Sequence, residues 1–173
     1  MENKSVASKH YYLLDASAFC RFIEYISANA RISHNIIQRA VFESYFYYMP
    51  QFCIAEVFNT FAKWHYAEKR INEKKYKELC SIFKFLIHDR LVIYPYDLHR
   101  YHNLNCDKVF PVEHTTPHSM PKKGKLSTFD ILIIAMALEL QLIHGNDNVS
   151  ILSCDNRLTE ISKLLKIKTE IYC

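Results

Sequence analysis

Two apolar runs in this chain, YYLLD and VSILSCD, each close on an aspartate, Asp15 and Asp155. A carboxylate at the end of a strand has two uses. It can accept hydrogen bonds from the first amides of a following helix, a position where Asp is strongly preferred. It can also stand at the carboxyl edge of an open α/β sheet, where ligands collect. Two further acids pose the same choice. Ser127-Thr128-Phe129-Asp130 has the spacing of a capping box, so Asp130 has a structural use beside a chemical one. Glu56 lies in FCIAEVFNTF between apolar neighbours, where an unpaired charge is costly. Asn59 and Lys63 fall on its helical face, so a solvated Glu56–Lys63 stripe competes with an acidic cleft.

Brought to one pocket, Asp15, Glu56, Asp130 and Asp155 would repel one another unless a cation sat among them. Oxygen donors with no adjacent His or Cys suit Mg²⁺ or Mn²⁺ rather than zinc. One or two such ions polarise a phosphodiester, acidify an attacking water and stabilise the leaving oxygen. Phosphodiester hydrolysis is the chemistry such a pocket would serve.

Each acid needs an element to aim it. Tyr11–Asp15 is short, apolar and aromatic, and SAFCRFIEYI behind it has apolar residues at helical spacing, which predicts strand, turn and helix with Ser17 as a cap. A second helix is predicted over His34 to Tyr48, stopped by Pro50. QFCIAEVFNTFAKWHYAEK and NEKKYKELCSIFKFLIHDR read as two more, and LVIYPY as a strand. From Asp97 to Lys125 the periodicity fades into His, Pro, Asn and Thr, which leaves a functional loop and a partly helical insertion both open. LSTFDILIIAMALELQL is a strongly apolar helix, HGNDN a turn, VSILSCD a strand, NRLTEISKLLK a helix and IKTEIYC a closing strand. Strands that alternate with helices predict a mostly parallel sheet covered on both faces, a three-layer α/β/α sandwich.

The totals are compatible with that architecture. At 173 residues, half of them hydrophobic, the chain is predicted to form one domain over 1–173 with a substantial core. With two Gly, five Pro and mixed charges it does not read as disordered. A net charge of +4 permits a polyanionic partner without demanding one. MENKSVASKH lacks the apolar centre of a signal peptide and ILIIAMALEL is too short to span a bilayer, so a cytoplasmic protein without membrane association is expected. The six Cys form no CxxC pair, and several lie in apolar segments, which predicts reduced thiols rather than a disulfide scaffold.

Taken in order, LLDASAF, AEVFNTF, FDILIIAMALEL and ILSCDNRL resemble the four signatures of a PIN-domain ribonuclease, in particular the VapC-type toxins of toxin–antitoxin systems. The resemblance covers nearly the whole chain. It implies metal-site roles for Asp15, Glu56, Asp130 and Asp155, and supporting roles for Ser17, Asn59 and Ser153. It further implies RNA cleavage with Mg²⁺ or Mn²⁺, a homodimer, and a cognate antitoxin that occupies the cleft. A chain that keeps this fold as a catalytically inactive RNA- or protein-binding scaffold is the alternative, and a DNA-directed nuclease of related fold is a third reading.

Other features carry weaker signals. His99, His102, Cys106, His114 and His118 are metal-ligand types in loose array, but structural zinc sites show tighter pairs, so a polar surface loop is expected there. Lys122, Lys123 and Lys125 stand just ahead of the helix that opens at Asp130, where they would offer charge to an RNA backbone or simply be solvated. His65, Arg70, Lys74 and Lys75 pose the same choice on another helix. FESYFYYMP packs five aromatics into Phe42–Tyr48, a candidate dimer or antitoxin contact against plain core packing.

Overall fold

Tyr11–Leu14 forms a strand, β1, at the centre of a five-stranded sheet. The computed structural model describes residues 9–28, 46–97, 101–117 and 125–170. After β1 come helix α1 (Ala16–Ala28), β2 (Phe46–Pro50) and α2 (Gln51–Ala62), which continues as one π-helical turn over Lys63–Ala67. Next are α3 (Glu73–Asp89), β3 (Leu91–Tyr94), α4 (Tyr101–Thr115) and α5 (Thr128–His144). A 3₁₀ turn at Asn146–Asn148, β4 (Val149–Leu152), α6 (Asn156–Leu164) and β5 (Lys168–Glu170) complete the order. The sheet runs β3-β2-β1-β4-β5 and every pairing is parallel.

Chain direction across this sheet reverses once. The chain steps from β1 outward to β2 and β3, then returns to the far side of β1 to lay down β4 and β5. Parallel crossovers are right-handed, so the two directions put helices on opposite faces. Contacts agree: α1 packs on α2 and α2 on α3, whereas α4, α5 and α6 pack on one another. The result is the expected α/β/α sandwich. Its switch point, where neighbouring connections depart in opposite directions, lies between β1 and β4.

The core explains two sequence features. Helix α5 is apolar nearly all round because it is packed by the sheet, α4 and α6, which buries Ile131, Ile133, Ile134, Ala135, Met136, Ala137 and Leu140. Across β1 and β2 the register sets Tyr11 opposite Phe46 and Tyr12 opposite Tyr47, and both ring pairs stack at 5.4 Å. Cross-strand aromatic pairs of this kind stabilise a sheet.

Two expectations are corrected. Phe46–Pro50 is a strand rather than the end of a helix, with Tyr47, Met49 and Pro50 buried; residues 29–45, the rest of that predicted helix, lie outside the described residues. Aromatic side chains favour a pleated, half-buried surface, and β1 supplies the partner. The described part of FESYFYYMP is therefore sheet interior, and only Phe46 keeps substantial exposure there. Ser17 does not cap α1 but sits within its first turn. The stretch left open from Asp97 to Lys125 is helical over Tyr101–Thr115.

Helix α4 escaped a periodicity argument because its buried face is polar. His102, Asn105, Val109 and Glu113 are buried at spacings of three, four and four residues, a helical period written largely in hydrogen-bonding side chains. Each finds partners. His102 pairs with Glu139, which also accepts the Tyr94 hydroxyl, and Asn105 donates to the Ala135 carbonyl at 3.2 Å. Glu113 accepts from the Leu126 amide at 3.0 Å and from Arg157 Nε at 2.9 Å.

Candidate metal centre

The first functional side chain is fixed by the sheet itself. The Asp15 amide donates to the Leu152 carbonyl at 2.9 Å, which continues the β1–β4 ladder one residue past the strand, and its carbonyl accepts the Phe19 amide to start α1. The carboxylate is thus held at the carboxyl edge, at the switch point. It is only 6% exposed. Burial would penalise the charge without partners, and two hydroxyls provide them. Ser17 donates to Asp15 Oδ2, and Ser153 donates to the same oxygen at 2.8 Å.

Ser17 and Ser153 also fasten the neighbouring strand end. The Cys154 amide donates to Ser17 Oγ at 3.0 Å and the Asp155 amide donates to Ser153 Oγ at 2.9 Å. One hydroxyl from each side of the switch point therefore binds the Asp15 carboxylate and the backbone that leads to Asp155. Asp155 itself is exposed, and its Oδ1 caps α6 by accepting the Arg157 and Leu158 amides at 2.6 and 3.0 Å.

Glu56 comes from the other side of β1. Helix α2 starts directly after β2, so its first turns stand beside the end of β1, and ligand atoms of Asp15, Cys53 and Glu56 all lie within 4.8 Å of one another. Lys63, the alternative partner for Glu56, pairs instead with Glu68 at 3.4 Å. Asn59 is exposed one turn beyond Glu56. Asp130 opens α5 and realises the capping box: it accepts the Ser127 amide at 2.8 Å and its own amide donates to Ser127 Oγ at 3.2 Å. Its charge still acts on the group.

Electrostatics joins three of the acids. Burial lifts the Asp15 carboxyl above its ordinary value and Asp130 adds to the rise, while the Ser17 and Ser153 bonds oppose it. Glu56 is lifted by desolvation first, then by Asp15 and Asp130. Asp155 is tied to Ser153 only through its backbone amide, and its carboxylate is not brought into the group. Helix capping and membership of the acidic group are thus compatible for Asp130, and its cap leaves a half-buried carboxylate among like charges.

Among the described residues, Asp15, Cys53 and Glu56 are the one group of three or more His, Cys, Asp and Glu side chains able to share an ion. Cys53 was absent from the sequence argument, although Cys53-x-x-Glu56 puts the two on one face of a helix. Desolvation pushes its thiol far up, as it pushes Cys20 to about 12, so both remain protonated at neutral pH. The Cys53 thiol hydrogen bonds the Glu56 carboxylate. Carboxylate oxygens are then the available donors, and mutually repelling carboxyls are what a hard cation would neutralise. The residues fit Mg²⁺ or Mn²⁺.

The basic candidates divide. Lys125 is exposed with Nζ 2.9 Å from His114 Nδ1, and Lys122 and Lys123 lie outside the described residues. Arg70 pairs with Glu24 and lies over the Trp64 ring, and Lys75 pairs with Glu78. In the His-rich stretch His102 is a buried partner of Glu139, and His99 and His118 are outside the described residues. Cys20, Cys53, Cys80, Cys106 and Cys154 are free thiols. No described helix is long and apolar enough to cross a membrane.

No protein-family model matches this chain, and no curated protein does. Among solved structures it is similar to a chain in the crystal structure of VapBC2 from Rickettsia felis bound to a DNA fragment from their promoter. The match has a TM-score of 0.55 and 13% identity, and it covers 93% of this chain and 98% of that one. A likeness of that extent at so low an identity establishes a shared fold: the α/β/α sandwich seen here is the architecture of that VapBC2 chain.

Proposed function

We propose that this chain is a Mg²⁺- or Mn²⁺-dependent endoribonuclease, and that it is the toxin of a toxin–antitoxin pair. The observation that carries the reading is the gathering of Asp15, Glu56 and Asp130 at the switch point, with the Asp15 and Glu56 carboxyls raised by burial and mutual charge. Asp15 and Glu56 hold the ion, with Asp130 and Asp155 completing the acidic set. When bound, the ion supplies charge stabilisation to the phosphodiester and acidifies an attacking water. Ser17 and Ser153 keep the Asp15 carboxylate ionisable and fixed in orientation. Asn59 supports the acidic site, and Lys122, Lys123 and Lys125 contact the RNA backbone.

The VapBC2 likeness supports an antitoxin partner. On this reading the antitoxin occupies the acidic cleft, the complex is cytoplasmic and the nuclease acts as a homodimer. The test uses purified full chain and single-stranded RNA. Cutting should require Mg²⁺ or Mn²⁺ and should vanish in Asp15→Asn while the circular dichroism spectrum is kept. Cutting that persists in chelator, or in the variant, would reject the proposal.

A second reading draws on one observation: Asp130 completes the capping box of α5 and Asp155 caps α6. A fold-retaining RNA- or protein-binding scaffold would need no more from them. Calorimetry separates the two, since the nuclease takes up Mg²⁺ or Mn²⁺ and the scaffold takes up neither.

A further inference from the structure

Phe129 keeps 46% of its surface in solvent although it is a large apolar side chain at the start of α5. It is not loose. Its ring stacks on Phe52, with centroids 5.0 Å apart and planes 20° from parallel, and Phe52 is half-buried against the core. Phe129 directly precedes Asp130, and Phe52 directly precedes Cys53. The pair therefore joins the first turns of α2 and α5, the two helices that bring Glu56 and Asp130 to the acidic group. Stacked on Phe52 and still 46% exposed, the Phe129 ring is an apolar surface next to Asp130.

The acidic group poses a problem that such a surface solves. Carboxylates that a bound cation does not offset repel a phosphate backbone, so the surface around the ion gains little affinity from charge. Stacking of a base on an aromatic ring carries no such penalty and tolerates any base, since each has a π-face. It also requires the base to be free of its neighbours in a helix, which selects unpaired strands.

We propose that Phe129, braced by Phe52, is a base-stacking platform that takes one unpaired nucleobase of a single-stranded RNA beside the acidic group. The proposal rests on the nuclease reading and names how that site recognises its substrate class. Binding is measured in the Asp15→Asn background, which leaves the probe uncut, with a short single-stranded RNA carrying 2-aminopurine and with the same sequence as a duplex. Phe129→Leu keeps an apolar side chain but removes the ring; Phe129→Trp keeps a ring.

Phe129→Leu is expected to lose about tenfold in affinity for the single strand. It should also lose the quenching of 2-aminopurine, and the loss should persist at raised salt because stacking releases no counterions. Phe129→Trp is expected to retain both, and the duplex to be indifferent to either change. Equal affinity and quenching in Phe129→Leu would overturn the platform, as would an equal loss on the duplex. Loss of a protein partner with RNA affinity unchanged would also overturn it. If Phe129→Leu loses RNA while the unmodified chain never cuts with Mg²⁺ or Mn²⁺, the platform stands and the nuclease reading falls. If the chain cuts and Phe129→Leu cuts and binds as well, the reverse holds.

Discussion

Asp15 collects the constraints of the site into one carboxyl group: backbone bonds on both sides, two hydroxyl donors, and burial. Since desolvation and Asp130 raise it, and desolvation, Asp15 and Asp130 raise Glu56, the folded chain favours the protonated forms of both. The linkage has a definite sign. These groups contribute stability fully below their unfolded values, about 4, and that contribution is lost as pH rises through the raised folded values. Metal-free protein should therefore lose stability in thermal melts as pH rises above about 4. Asp15→Asn removes one buried charge while an amide oxygen still accepts from Ser17 and Ser153. In chelator at pH 7 it should melt about 2–4 °C above the parent. Ser153→Ala has the opposite character. It strips a hydroxyl from both Asp15 and the Asp155 amide and should cost about 1–3 kcal/mol in urea titrations. Because that hydroxyl lowers the Asp15 value, its loss should also move the acid limb of the activity profile to higher pH.

At the scale of elements, α4 and α6 are joined by a buried ion pair. Arg157 donates to Glu113 Oε2, to Glu160 at 3.0 Å, and to the carbonyls of Glu113, Thr116 and Pro117. With Glu113 also holding the Leu126 amide, this cluster fixes the chain at Pro117 and Leu126 against the start of α6. Arg157→Met would leave Glu113 buried without its cation, so a loss of about 3–5 kcal/mol is expected in denaturant unfolding. The same helix shows what a sequence conveys and what it withholds. Strand ends, the capping box at Ser127 and the apolar run of α5 were legible because each has a local chemical reason. The face of α4 was not, since His102, Asn105 and Glu113 look solvent-bound until Glu139, Ala135 and Arg157 arrive from distant elements. Strand β2 was misread for a related reason: consecutive aromatics carry no period, and only pairing with β1 decides between helix and strand. Cys53 is not legible in the sequence because its part is to bond Glu56, a neighbour that only the folded helix turns toward it.

At the scale of the molecule, strand order decides where charge collects. Asp15 and Asp155 follow β1 and β4, Glu56 rides the helix after β2, and Asp130 opens the helix that returns the chain to β4. An ion bound there links elements from both faces, so Mg²⁺ or Mn²⁺ at a hundredfold excess over its dissociation constant should stabilise the fold by about 2.7 kcal/mol. Differential scanning calorimetry should show that gain in the parent and not in Asp15→Asn, and the gain should be larger at pH 7 than at pH 5. The β1–β4 seam has a further consequence, for synthesis. The hydroxyl that secures Asp15 from Ser153 lies 138 residues downstream, so β1 emerges from the ribosome long before its partner strand exists. A nascent chain therefore carries its first acid without the support that aims it. On the nuclease reading, the translating ribosome is shielded from the protein it is making until β4 has been laid down.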